Sequence, residues 1–116
     1  MKNQPNPALA DISTPAAVID IDRMRRNVQR MQSQVNSLGV RFRPHVKTSK
    51  CLEVTQAQIE AGAAGITVST LKEAEQFFAA GISDILYAVG MAPGKLAQAH
   101  ALIQRGCDLK ILTDSV

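Results

Sequence analysis

The stretch "GITVSTLKEAEQFFAAGISDILYAV" (65–89) decides the fold. "GITVS" (65–69) is a short β-branched run that reads as a strand, and "ILYAV" (85–89) reads as a second strand, apolar on both faces as a covered parallel strand should be. Between them, Thr70 and Glu73 have the T-x-x-E spacing of a capping box, opening the helix "LKEAEQFFAAG", which Gly81 ends. Strand, helix and strand in this spacing form a βαβ unit, which requires parallel strands.

The same rhythm extends in both directions. Downstream, Pro93 fits the first turn of a helix whose apolar face is Leu96, Ala99, Leu102 and Ile103; Gly106 closes it before a strand at "LKILT" (109–113). Upstream, a helix from about Cys51 to Ala61 is ended by Gly62 and preceded by a strand in "RFRPHVKTSK" (41–50). Earlier still, Met24, Val28, Met31, Val35 and Leu38 recur at helical spacing, with Asp20 or Asp22 as the cap and Gly39 at the stop. "TPAAVID" (14–20) reads as a short strand, and residues 1–13, with Pro5 and Pro7, as an extended leader.

From residue 40 onward the pattern is therefore a parallel α/β sheet or part of a (β/α)8 barrel. A doubly wound fold would usually carry a glycine-rich phosphate fingerprint after its first strand, and "HVKTSK" has none. A complete barrel takes about 250 residues. Four strands in 116 residues make about half of one.

Bulk properties narrow the function classes. Hydrophobic residues make up 46%, enough for a core. The net charge of +3 comes from 13 basic against 10 acidic residues, and with aromatics at only 3% it argues against nucleic-acid binding. Cys51 and Cys107 form no CxxC pattern, so reduced thiols are expected, with neither a zinc site nor a disulfide framework. No signal peptide or membrane span is read; the expectation is a soluble, cytoplasmic protein without a membrane partner.

The chemistry concentrates in "RFRPHVKTSK". With a period of two, Arg41, Arg43, His45 and Lys47 share one strand face. Barrel interiors are normally filled by aliphatic side chains, and such a conflict with burial tends to mark function. Lys47 falls near the C-terminal end of the strand, where barrel enzymes gather catalytic groups; neighbouring cations would favour its free amine, which can form a Schiff base. The competing reading, a solvated face of an edge strand, remains open on pattern alone. Arg41 and Arg43 could lower the proton affinity of Lys47 or pair with acids on neighbouring strands, and pairing is the favoured reading.

Other polar residues have plainer readings. His100 reads as a surface histidine, Cys51 as a small, partly buried residue at a helix start, and Tyr87 as core. Thr67, Ser69 and Thr70 end the second strand. Thr70 reads as a helix cap, and Ser69 as either support for that cap or a cofactor contact.

"TPAAVIDIDRMRRNVQRM", "RPHVKTSK" and "AGAAGITVSTLKEAEQFFAAGISDILYA" together resemble the N-terminal part of the D-threonine aldolase and D-serine dehydratase family. These are fold-type III pyridoxal-phosphate enzymes related to alanine racemase, and the likeness runs from residue 14 to the end. It implies that residues 21–116 are the first half of an alanine racemase N-terminal-like barrel. It also implies that strand 14–20 belongs to a β-rich domain completed later in the chain. Lys47 corresponds to the Schiff-base lysine and His45 to the motif histidine; Ser69 is the third candidate cofactor contact. The implied activity is a pyridoxal-phosphate-dependent lyase on D-β-hydroxy-amino acids, by retro-aldol cleavage or, alternatively, by dehydration. A non-catalytic pyridoxal-phosphate carrier, or an inactive fragment, is also compatible with the likeness. A divalent metal is expected in the full-length family, but its ligands, the phosphate loops and the tyrosines near the ring all follow the stretch present here. The chain therefore reads as a fragment, with a small-molecule D-amino acid substrate and, at full length, a homodimer as the expected partners.

Overall fold

The computed structural model describes residues 8–115. Three parallel strands, β1 (Ile66–Val68), β2 (Asp84–Gly90) and β3 (Asp108–Leu112), form one sheet in the order β1-β2-β3. They alternate with α3 (Leu71–Ala79) and α4 (Leu96–Gln104), preceded by α1 (Ile21–Ser37) and α2 (Leu52–Glu60). Short 3-10 turns occur at Leu9–Asp11 and Pro93–Lys95. No described helix is long and apolar enough to cross a membrane.

The core lies between the sheet and its helices. Val46, Ile66, Val68, Ile85 and Tyr87 point from the sheet side toward Leu71, Ala74 and Phe77 of α3 and Ala99 and Leu102 of α4. Tyr87 is therefore a core residue. The other face of β2, with Asp84, Leu86 and Ala88, is only half-buried, and Val89 is exposed. The two-sided cover read from "ILYAV" is thus present on one face among the described residues; the second is an open face.

The capping box has formed: Glu73 N–H donates to Thr70 Oγ1 at 3.0 Å, and Thr70 N–H donates to Glu73 Oε2 at 3.1 Å. At α1, Asp20 is the cap, its Oδ1 accepting from Arg23 N–H at 2.9 Å. The predicted apolar stripe of α1 is only partly covered. Met31 and Leu38 are exposed, and the buried residue of this helix is Gln32, whose amide donates to Asn36 Oδ1 at 2.9 Å beside Gly62. On α4, Ala99 and Leu102 are buried, but Leu96 and Ile103 are exposed.

Two predicted strands are not regular strands. The expected strand 14–20 has not formed: residues 14–15 bend, and 16–20 belong to no strand and pair with none among the described residues. Residues 40–47 keep one isolated parallel bridge, His45 to Thr67. Ala64 N–H donates to Phe42 O, while Thr67 N–H donates to Pro44 O. Two residues advance on one side against three on the other, so a local slip breaks the ladder. Pro44 also has no N–H to give. The alternation survives through Val46: Pro44 and Val46 are buried on the helix side, and Arg43 and His45 are half-buried on the open face. Residues 46–49 then turn, and Lys50 N–H closes the turn on Val46 O at 2.8 Å.

Candidate functional site

The parallel bridge between His45 and Thr67 organises the site. Val46 N–H donates to Thr67 O at 3.0 Å, and Thr67 Oγ1 donates to Arg43 O at 2.8 Å, so the two backbones are tied on either side of His45. Two residues beyond each bridge partner stand Lys47 and Ser69, both at the C-terminal ends of their rows. The residues read separately from sequence are thus brought to one end of the sheet.

Lys47 is exposed. Like that of exposed Lys72, its Nζ makes no hydrogen bond or ion pair among the described residues; Lys50, Lys95 and Lys110 are each engaged with a partner. Its backbone N–H donates to His45 Nδ1 at 3.2 Å. Burial and the adjacent Lys47 charge lower the pKa of His45, against a smaller opposing pull from Glu73. His45 is accordingly a neutral imidazole near pH 7, with Nδ1 accepting and its proton on Nε2.

Ser69 is held from behind. Its N–H and its hydroxyl both donate to Glu73 Oε2, at 2.9 and 3.2 Å. The hydroxyl proton is therefore committed, and Ser69 Oγ offers acceptor lone pairs to anything bound in front of it. Burial, the largest single influence on Glu73, acts to raise its pKa, but the hydrogen bonds from Ser69 and Thr70 and the Lys50 charge together hold it below the ordinary carboxylate range.

Toward the N-terminal end of the strands, the open face carries a charge cluster. Arg43 donates to Asp84 twice, at 2.7 and 3.0 Å, Arg41 donates once at 3.1 Å, and Lys110 donates at 2.8 Å. The arginines are thus paired, as favoured from sequence. Gly65 makes the crossing possible: a Cβ there would collide with Asp84 O and lie 2.7 Å from Asp84 Cβ. The sequence reading missed Asp84 and Gly65, since neither belongs to a local motif and they meet only through strand pairing.

The remaining candidates take their plainer readings. His100 is exposed on α4. Cys51 is the N-cap residue of α2, and its thiol donates to Glu53 at 3.2 Å. Among the described residues no cluster of three or more His, Cys, Asp or Glu side chains could hold a metal ion.

The family described as alanine racemase, N-terminal domain, matches residues 19–113. The chain belongs to that family. Within the alanine racemase N-terminal domain family, it is 67% identical over 108 residues to D-threo-3-hydroxyaspartate dehydratase of Delftia sp. (strain HT23), covering 93% of this chain and 28% of the relative. The solved structure of that dehydratase superposes with a TM-score of 0.88, covering 90% of this chain and 28% of the other. D-serine dehydratase of Dictyostelium discoideum is 34% identical over 119 residues, covering 98% of this chain and 30% of the relative. The crystal structure of D-threonine aldolase from Filomicrobium marinum superposes with a TM-score of 0.86 at 34% identity, covering 92% of this chain and 29% of that one. The chain thus spans less than a third of each of these relatives.

Proposed function

We propose that this chain is the N-terminal, cofactor-carrying part of a pyridoxal-phosphate-dependent lyase acting on D-β-hydroxy-amino acids, with Lys47 as the Schiff-base lysine. The observation that carries the proposal is the unpaired, exposed Nζ of Lys47 at the C-terminal end of its row, beside a neutral His45. The residues present fit the cofactor: an amine without an acidic partner is available to a carbonyl, and no side chain has to be displaced to reach it. On this reading the open face of the sheet is part of the inner wall of a (β/α)8 barrel, and the Lys47 end is its mouth.

When bound, pyridoxal phosphate supplies an electron sink for the charge left at Cα. Lys47 would hold the cofactor through its Nζ, and the same amine, when free, could hold or give a proton beside Cα. His45 Nε2–H is a donor for an acceptor atom in front of it, and Ser69 Oγ is an acceptor for a donor. The Arg43–Asp84–Lys110 cluster ties the row that carries Lys47 to β2 and β3 toward the N-terminal end of the strands. A metal that assists departure of the β-hydroxyl would take its ligands from residues outside those described.

Elimination stands ahead of retro-aldol cleavage because the identity to the Delftia dehydratase is 67%, against 34% to the Filomicrobium aldolase. With D-threo-3-hydroxyaspartate, elimination of water followed by hydrolysis yields oxaloacetate and ammonia; carbon–carbon cleavage would yield glycine and glyoxylate. Product analysis with the intact protein separates the two. The lysine assignment is tested without turnover: treatment with pyridoxal phosphate and borohydride, then peptide mass mapping, is expected to place one pyridoxyl adduct on Lys47. The adduct should vanish in Lys47→Ala. A retained adduct at another residue in that variant would refute the assignment.

A further inference from the structure

We infer that Glu73 is a positioning residue that holds the 46–50 turn, and with it Lys47, through Lys50; this rests on the reading of Lys47 as the cofactor lysine. A capping box asks one thing of its glutamate, a bond to the N-cap backbone N–H. Glu73 Oε2 does this for Thr70 and also accepts two bonds from Ser69, so one oxygen is saturated by the β1–α3 corner. The other oxygen, Oε1, is buried and accepts no hydrogen bond, although the residue is only 6% exposed. A buried carboxylate oxygen left without a donor is costly, so a cation within reach is drawn to it. That cation is Lys50, with Nζ 3.8 Å from Oε1.

Lys50 is the other end of the turn that begins at Val46, which its N–H closes. It adopts a φ of 45°, the left-handed region that a non-glycine residue occupies only at a cost. Its N–H on Val46 O makes that conformation the left-handed stop of the turn, and the Glu73 carboxylate lies within reach of the side chain that leaves it. One carboxylate thereby links the corner that presents Ser69 to the turn that presents Lys47. Its two oxygens divide the task, Oε2 for the corner and Oε1 for the turn.

The test uses the intact, cofactor-free protein. In Glu73→Gln the side-chain carbonyl can still accept the cap bonds, but the charge is gone; in Lys50→Met the cation is gone. In each, the Lys50 amide is expected to exchange with deuterium about threefold faster, the scale of a largely exposed ion pair. The Ala74 and Phe77 amides of α3 should keep their rates. Lys50→Arg should restore slow exchange. The second measurement is the rate at which Lys47 acquires the borohydride-trapped adduct. This should fall about threefold in each single variant and no further in the double variant, since the two residues form one link. Unchanged exchange at Lys50, faster exchange throughout α3, or an additive double variant would each overturn the inference. Faster exchange at Lys50 with no adduct on Lys47 even in the unsubstituted protein would leave the Glu73–Lys50 link standing and overturn the cofactor-lysine reading instead.

Discussion

Asp84 receives Arg43, Arg41 and Lys110 at the start of β2, and hydrogen bonds from Arg43, the largest influence, hold its pKa down to about 2 from an ordinary 3.8 in spite of partial burial. A depressed carboxylate contributes stability that is fully present above the unfolded pKa and is lost as pH falls through the folded one. The window is therefore about pH 4 to 2. For a side chain 16% exposed, the shift corresponds to about 2 kcal/mol. Asp84→Asn should be less stable than the unsubstituted protein by about that amount near neutral pH, and denaturant midpoints should converge as the pH approaches 2. A gap that persists unchanged at pH 2 would mean that packing, not charge, links Arg43 to β2. Single residues were unevenly legible. Lys47 announced itself as the last member of a cationic alternation at a strand end, whereas Asp84 had no local signal, because its partners are 41 and 26 positions away.

The elements of the βαβ core were legible because each carries its own punctuation. Thr70 and Glu73 mark the start of α3, Gly81 follows its end, and the β-branched run of β1 falls where it was read. The segment before α2 was read as a full strand because alternation alone shows which side chains share a face. It does not show whether neighbouring hydrogen bonds stay in register. The slip between Phe42 and Pro44 and the missing N–H of Pro44 reduce that segment to a single bridge. Gly65 matters at this scale, since it lets the Arg43 row and β2 meet across β1. Gly65→Ala would drive a methyl group into the Asp84 backbone and should cost about 1 to 3 kcal/mol, the range of overpacking. Thermal or chemical denaturation measures this directly; a loss below about 0.5 kcal/mol would show that the two rows separate freely.

On the scale of the whole molecule, the helix-covered face is closed and the opposite face is not. β3 is an edge strand with Ile111 and Leu112 exposed, and Leu96 and Ile103 leave part of α4 uncovered. Unpaired edges next to exposed aliphatic side chains favour intermolecular pairing. A polypeptide of residues 1–116 alone should therefore self-associate, seen as a concentration-dependent rise in mass by light scattering. A stable monomer at high concentration would contradict this.

The sequence by itself determined the four helices, the three strands of the sheet and their parallel pairing, the family resemblance and the position of the candidate reactive amine, because these follow from local periodicity, caps and a short contiguous motif. Only the tertiary structure decided that Arg43 is bound to Asp84 across Gly65 and that residues 40–47 keep a single bridge. It alone revealed the buried, unpartnered oxygen of Glu73 facing Lys50. Those facts depend on register, on the space a missing side chain leaves, and on what burial denies a charged atom. These arise only when segments distant in the chain are packed together.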